Sequence, residues 1–205
     1  MPNRGAHGRP PVIPFDAPPS PYGPRGRAVY IAWDADGVPL YLGAARILIE
    51  RFRHHRWSKP WWHRVARVDH DWFPTPWQAC MAEQFWITRL CPVQNRQMPP
   101  WRPNGLTLEQ QEQWLAAFNV PAAEALAELE AGADLEEVAR ARHVHPRYLI
   151  RLGRQRSSRW AREYTGEWDD LPRIGWDPYV LTALGQNGAS EGYQQWARER
   201  LADVL

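Results

Sequence analysis

Hydrophobic and polar positions follow a strand-like pattern soon after a proline-rich opening. Residues 28–33 are almost wholly apolar, an Asp-Gly turn signal follows, and residues 38–42 are apolar again. Two β-rich runs joined by such a turn predict a hairpin over residues 27–43. Apolar positions in residues 44–55 then recur every three or four residues, which predicts a helix.

The same change from strand-like to helical spacing occurs a second time. Residues 65–73 alternate well enough to predict a third strand. Thr75 is a favoured N-cap and Pro76 is tolerated at a first helical position, so a second helix begins there and continues to about Leu90. The order strand–strand–helix–strand–helix predicts a small α+β domain over residues 27–96.

Beyond this domain the predicted elements are all helices, and residues 163–189, rich in Gly, Pro, Asp and Trp, look irregular. Proline and glycine crowd residues 97–105, which we interpret as a linker. Further helices are predicted from Thr107, from Pro121 to Ala131, from Leu135 to Arg142, from Pro146 to about Arg162 and from Ser190 to Val204. The predicted organisation is a proline-rich extended arm at 1–26, the α+β domain at 27–96, the linker at 97–105 and an all-α domain at 106–205. The arginines of the arm either contact phosphates or belong to a solvated tail.

Composition narrows the class of protein. The chain has 205 residues, of which 44% are hydrophobic, and a formal net charge of +2, which suits one domain or two small ones. Cys80 and Cys91 have no CxxC spacing, so we expect buried thiols in a reducing cytoplasm rather than a zinc site. No apolar run is long enough to span a membrane and no apolar leader is present, so we expect a cytoplasmic protein without membrane contact.

Five chemically distinctive side chains fall on the predicted α+β domain. They are Tyr30, Tyr41, Arg51, His55 and Glu83. Hydrolysis of a phosphodiester needs an activated water, neutralisation of the phosphate charge and stabilisation of the leaving oxygen. A carboxylate is a hard ligand for Mg²⁺ (or Mn²⁺), an arginine fork grips phosphate, and histidine shuttles protons near neutral pH. The set therefore suits a metal-dependent phosphodiesterase.

The order of these residues resembles that of the GIY-YIG endonuclease family. The matching positions are Ala28-Val29-Tyr30, Tyr41-Leu42-Gly43, Arg51, His55, Glu83, Pro92 and Asn95. The resemblance covers roughly residues 27–96 and implies a three-stranded antiparallel sheet flanked by helices. It also implies that Tyr30 helps to activate the attacking water, that Tyr41 contacts the phosphate or the water network, and that Glu83 binds the metal.

Two further residues are expected to support this site. Gly43 would allow a close approach of strand and helix, and Asn95 would fix the loop geometry or bind near Tyr30. The chain departs from the family pattern where Ala28 replaces a glycine and where Ala44-Ala45 replaces a small polar residue, which would remove one phosphate hydrogen bond. No proposed catalytic group is lost, so we expect an active enzyme.

Residues 135–152 resemble the helix-turn-helix of transcription regulators, with His143 where glycine is usual. Its second helix would carry a row of arginines suited to a major groove and to phosphates. The predicted DNA-binding residues are His145, Arg147, Tyr148, Arg151, Arg154 and Arg156. A plain helical bundle with an arginine-rich solvated face is the alternative interpretation.

These observations predict a Mg²⁺-dependent endonuclease that a helix-turn-helix-like domain targets to double-stranded DNA, as in homing, restriction or mobile-element enzymes. It would act as a monomer or as a transient dimer on DNA. Two alternatives stay open: a DNA-binding regulator with an inactive nuclease domain, and a structure-selective repair or RNA nuclease. Lack of a metal requirement would favour the first, and a preference for flaps, junctions or RNA would favour the second.

Overall fold

The computed structural model describes residues 19–166 and residue 168. In this part of the chain a three-stranded antiparallel sheet is combined with helices, which makes the protein α+β as predicted. Most of the proline-rich arm and the helix predicted from Ser190 to Val204 lie outside the described residues. No helix among the described residues has the length and apolar character needed to cross a membrane.

Strands and helices alternate in the first half of the described chain. Its elements are a 3-10 turn at Gly23–Arg25, β1 (Arg27–Trp33), β2 (Pro39–Ala45), α1 (Leu48–Ser58), a second 3-10 turn at Pro60–Arg64, β3 (Arg67–Phe73) and α2 (Pro76–Leu90). The helical half follows with α3 (Leu108–Trp114), a π-helical turn (Leu115–Asn119), α4 (Val120–Glu130), α5 (Leu135–Ala141), α6 (Pro146–Gln155) and α7 (Arg159–Glu163).

The central strand β1 is buried on both of its faces. The strand order is β2-β1-β3, and both neighbours run antiparallel to β1. Alternate residues of a strand point to opposite faces, and both Tyr30 and Ile31 are almost fully buried. On the Tyr30 face, α1 and the Pro60–Arg64 turn form one small core with the sheet. On the Ile31 face, the sheet packs against α2 and the helical half.

Side-chain caps begin three of the helices at the residues that the sequence predicts. The Thr75 side chain accepts a hydrogen bond from the backbone N–H of Gln78, at 3.2 Å. Thr107 and Gln110 form the predicted capping box, and the side chain of Asp134 caps α5. These predictions are confirmed because each depends on side-chain and backbone groups only a few residues apart.

The prediction of one helix from Pro146 to about Arg162 is wrong. Helix α6 ends at Gln155, and Ser157 adopts the left-handed conformation with φ at 60°. The side chain of Ser158 then accepts a hydrogen bond from the backbone of Ala161 and starts α7. Serine competes well as a cap and poorly inside a helix, so the serine pair divides the predicted helix in two.

The predicted linker does not separate two hydrophobic cores. Met98 is buried, its backbone N–H donates to the side chain of Gln155 at 2.9 Å, and the Tyr148 hydroxyl donates to the Pro99 carbonyl at 2.9 Å. A single apolar cluster joins residues of the sheet, α2, α4, α5 and α6. The helical half is therefore packed onto one face of the α+β half.

Candidate active site

A buried hydrogen bond joins Tyr30 of β1 to His55 of α1. The Tyr30 Oη and His55 Nε2 atoms are 2.5 Å apart. Burial raises the pKa of Tyr30 well above its ordinary value. Burial, together with the positive charges of Arg51, His54 and Lys59, lowers the pKa of His55 to about 4. Both side chains are therefore neutral at pH 7, with the phenol protonated.

Tyr41 of β2 completes an aromatic group around this pair. Its ring centroid lies 6.0 Å from that of Tyr30 and 5.1 Å from that of His55. Burial raises the pKa of the Tyr41 hydroxyl, the Glu83 carboxylate raises it further, and Arg51 opposes both. The two predicted tyrosines, the histidine and the two charged side chains therefore lie within electrostatic reach of one another.

Gly43 makes room for the two tyrosine side chains. It lies directly opposite Tyr30 in the sheet. A Cβ atom on Gly43 would lie 2.7 Å from Tyr41 Cε1 and 3.2 Å from Tyr30 Oη, which is too close for the first contact. We predicted that Gly43 permits a close approach of strand and helix. The close approach is instead between its own strand and two aromatic side chains.

Glu83 of α2 and Arg51 of α1 meet at Ala44, near the end of β2. Burial raises the pKa of Glu83 to about 7, against a lowering by a hydrogen bond from the Ala44 backbone and by the charge of Arg51. The Arg51 guanidinium is exposed and lies 3.5 Å from the Ala44 carbonyl oxygen. A weakly held, exposed arginine thus stands beside a carboxylate that is poorly solvated.

Asn95 fixes the strand between the two motif residues of β2. Its Oδ1 atom accepts from the Leu42 N–H at 2.9 Å, and its Nδ2 atom donates to the Leu42 carbonyl at 2.8 Å. Leu42 stands between Tyr41 and Gly43, so the amide of Asn95 sets the position of both. The predicted supporting role of Asn95 thus has a definite geometry, and it acts on β2 rather than on Tyr30.

Trp61 is a site residue that the sequence did not single out. Its ring stacks on Tyr41 at a centroid distance of 5.3 Å and an interplanar angle of 24°, and lies 5.5 Å from the His55 ring. Trp61 belongs to the Pro60–Arg64 turn, directly after the helix that carries Arg51 and His55. This position in the sequence was the available signal. A short turn that directly follows α1 keeps Trp61 near the C-terminal end of the helix, where His55 lies.

The metal-binding groups available at this site fit a hard divalent cation that keeps most of its water ligands. Among the described residues no group of three or more His, Cys, Asp or Glu side chains is placed to hold a metal. A closed structural zinc site needs four such ligands. Mg²⁺ and Mn²⁺ are often held by one or two carboxylates together with water and substrate phosphate. The desolvated carboxylate of Glu83, with its raised pKa, suits such an ion because a cation favours the ionised form.

The residues predicted to contact DNA bases lie largely inside the protein. His145, Arg147 and Tyr148 are buried, and the His145 backbone N–H donates to the Thr88 carbonyl at 2.9 Å. The prediction that these side chains face bases is corrected by this packing. They lie at or just before the start of α6, in the interface between the helical half and α2. The groove of a DNA duplex cannot reach them there.

The arginines further along α6 and just after it contact other groups of the protein. Arg151 donates to the carbonyl oxygens of Pro92, at 3.1 Å, and of Asn95. Arg154 is exposed but donates to the Ala161 carbonyl at 3.0 Å, and Arg156 is exposed and lies 3.4 Å from the Asn119 side chain. Of the predicted DNA-binding set, only Arg154 and Arg156 are exposed.

A stability measurement tests the electrostatics of Glu83 without any substrate. Its pKa rises from the ordinary 4.5 to about 7 on folding, so the folded protein holds a proton that the unfolded chain releases. The contribution of this carboxyl to stability is therefore lost as pH rises through about 7. In EDTA, we expect Glu83→Gln to raise the free energy of unfolding by about 2–3 kcal/mol at pH 8 and to change it little at pH 4.

Urea denaturation at both pH values measures this difference. Glu50→Gln, at an exposed glutamate of α1, is the matched control and should give the same small change at both pH values. Equal stabilisation of Glu83→Gln at pH 4 and pH 8 would contradict the electrostatic explanation and point to better packing of the amide.

The chain was compared with protein-family models, with curated proteins and with solved structures, and it matches none of them.

Proposed function

We propose that this protein is a Mg²⁺- or Mn²⁺-dependent phosphodiesterase that cuts nucleic acid, acting as a GIY-YIG-type endonuclease. The observation that carries the proposal is the convergence of five side chains from two strands and two helices. They are Tyr30, Tyr41, Arg51, His55 and Glu83. A partly buried carboxylate next to an exposed guanidinium offers one place for a cation and one for a phosphate.

Tyr30 and His55 are placed to activate the attacking water. In one concerted relay the neutral imidazole accepts the Tyr30 hydroxyl proton at Nε2 while the phenol oxygen accepts a proton from the water. The transfer leaves the phenol neutral, so no phenolate has to be stabilised in the buried site. No described group pairs with His55 Nδ1, so the imidazolium is not held as it is in a catalytic triad. His55 therefore accepts the proton only transiently.

Arg51 and Glu83 are placed to bind the scissile phosphate and its counterion. The hydrogen bond of Arg51 to the Ala44 carbonyl is long, so its guanidinium is available for a two-pronged contact with phosphate oxygens. Glu83 would hold the cation, which when bound would neutralise negative charge on the phosphate. Tyr41, whose ring packs against those of Trp61 and His55, has its hydroxyl within electrostatic reach of Glu83 and Arg51.

Nicking of supercoiled plasmid tests the proposal. We expect relaxed or linear product in Mg²⁺, none in EDTA, and a rate about 10²- to 10³-fold lower for Arg51→Gln because a donor to the transition-state charge is removed. Arg140→Gln, at an exposed arginine of α5, is the matched control and should cut at the native rate. Cleavage that persists in EDTA would overturn the metal requirement. Absence of cleavage on duplex, single-stranded and branched substrates, with the fold intact by circular dichroism, would overturn the enzyme.

One alternative gains support from a specific observation. The first residues of α6 that would contact bases in a groove are buried against α2 and the 97–105 segment. The residues that would give α6 its sequence specificity are therefore not available to DNA. This weakens both sequence-specific targeting by α6 and the alternative of a DNA-binding regulator. A structure-selective nuclease, which recognises the form of its substrate rather than a long sequence, needs none of them.

A further inference from the structure

A band of basic and aromatic side chains runs along the exposed side of α1 towards the Pro60–Arg64 turn. We call it the α1 surface and define it by Arg53, Arg56, Trp57 and Lys59, all of which are exposed. Trp57 is 88% exposed, which is the largest value among the exposed large hydrophobic residues in the described part of the chain. An indole exposed to this extent adds little to the hydrophobic core and leaves an aromatic face open to a ligand.

The charge of this region is strongly one-sided. Between Ala45 and Arg64, Glu50 is the one acidic residue, whereas the basic residues are Arg46, Arg51, Arg53, Arg56, Lys59 and Arg64. Arg64 is paired with Asp34 at 2.9 Å. Within the described residues, none of the three cations of the α1 surface has an ion-pair partner. The surface is therefore complementary to a polyanion.

The α1 surface is continuous with the candidate active site. Arg51, His54 and Trp57 follow one another at intervals of three residues on α1, so each is a neighbour of the next on the helix surface, and the His54 ring lies 6.1 Å from the buried His55 ring by centroid. Arg53 and Trp57 are four residues apart on one helix face and are therefore neighbours. A strand whose phosphate is held at Arg51 has His54 and then Trp57 next to it in the direction of the helix C-terminus.

We infer that the α1 surface binds an unpaired segment of the substrate strand beside the scissile bond. The inference rests on the proposed function and names its substrate class: nucleic acid with a single-stranded segment, such as a flap, a loop or a free strand. Paired bases in a duplex already stack on each other, so only an unpaired base has a face free for the indole of Trp57. Arg53, Arg56 and Lys59 bind the flanking phosphates.

Binding measured without catalysis tests this inference. Fluorescence anisotropy in EDTA compares a labelled oligothymidylate with a labelled blunt-ended duplex of two annealed strands that carries the same total charge. We expect tighter binding of the oligothymidylate, an approximately tenfold loss for Trp57→Ala, and near-native binding for Trp57→Phe, which keeps an aromatic face. Duplex binding should change less than twofold. Leu108→Ala, at a residue that is 79% exposed on α3, is the matched control and should bind as the native protein does.

The cations of the surface add a salt-dependent component. Arg56→Gln should reduce the slope of log affinity against log salt concentration for the oligothymidylate by about 0.7, since one phosphate contact to a single strand is lost. Unchanged affinity for Trp57→Ala, or an equal loss on oligothymidylate and duplex, would overturn the inference.

Cleavage assays on the same variants separate this inference from the proposed function. Native cleavage by Trp57→Ala of a substrate with a flap, together with native binding, would overturn the α1 surface and leave the enzyme standing. Binding that depends on Trp57, with no cleavage of any substrate in Mg²⁺, would contradict the proposed enzyme activity and still support binding of single strands at the α1 surface.

Discussion

Replacement of Glu83 by glutamine should lower the rate of strand cleavage by about 10³-fold or more. Glutamine keeps the shape of the side chain and can still accept the Ala44 hydrogen bond, so the fold should be retained or stabilised. It lacks the negative charge that a hard divalent cation requires. Glu83 is a desolvated carboxylate beside the two tyrosines, and burial raises its pKa to about 7. Among the described groups that act on Glu83 there is no second carboxylate that could replace it.

The measurement is the initial rate of nicking at saturating Mg²⁺, with Glu50→Gln as the matched control on an exposed position of α1. A second readout is independent of turnover: Mg²⁺ should raise the melting temperature of the native protein and of Glu50→Gln but not that of Glu83→Gln. Since the cation competes with a proton at Glu83, the native rate at limiting Mg²⁺ should rise as pH rises through about 7. A native rate for Glu83→Gln would exclude this residue as the metal ligand.

Replacement of Arg151 by alanine should lower the free energy of unfolding by about 2–4 kcal/mol. The guanidinium of Arg151 donates to the carbonyl oxygens of Pro92 and Asn95, and both of these residues are buried. Removal of the guanidinium leaves two buried carbonyl oxygens without their donor. Each such oxygen costs about 1–3 kcal/mol where water cannot replace the lost donor. The loss should extend to catalysis, because Asn95 in turn binds both backbone groups of Leu42, next to Tyr41.

Urea denaturation measures the stability change, and cleavage at a temperature where the variant is folded measures the catalytic one. Arg151→Lys should restore part of both. Arg156→Gln, at an exposed arginine just after α6, should change stability by less than about 0.5 kcal/mol. A double-mutant cycle with Asn95→Ala should give a coupling energy of about 0.5 kcal/mol or more, because the two residues share one network. If Arg151 instead contacts DNA, Arg151→Ala would weaken DNA binding at unchanged stability.

The parts of the fold that the sequence predicted correctly depend on short-range chemistry. The Asp36-Gly37 turn requires a residue with positive φ, and Gly37 has φ at 77°. The caps at Thr75 and Thr107 use partners three residues away. In these cases the deciding interaction lies within a few residues, so the sequence pattern contains it.

The prediction that the first residues of α6 face DNA bases is wrong because the interactions that bury them are far away along the chain. An arginine on a helix is usually a solvated charge, and residue type alone assigns Arg151 to the surface. Its partners are carbonyl groups 56 and 59 residues earlier, which no periodicity reveals. The place of Trp61 in the site depends in the same way on how the turn after α1 folds back over Tyr41.

The single core that joins the sheet, α2 and the helical half has a consequence for how this protein can change in evolution. Recombination exchanges units whose contacts are mostly internal, so that each partner survives the transfer. Here Ile87 and Leu90 of α2 share one apolar cluster with Leu149 and Leu152 of α6, and Arg151 holds the segment that carries Asn95. The helical half is therefore inherited with the strands it covers, and variation that leaves this core intact is confined to point changes at exposed positions such as those of α1.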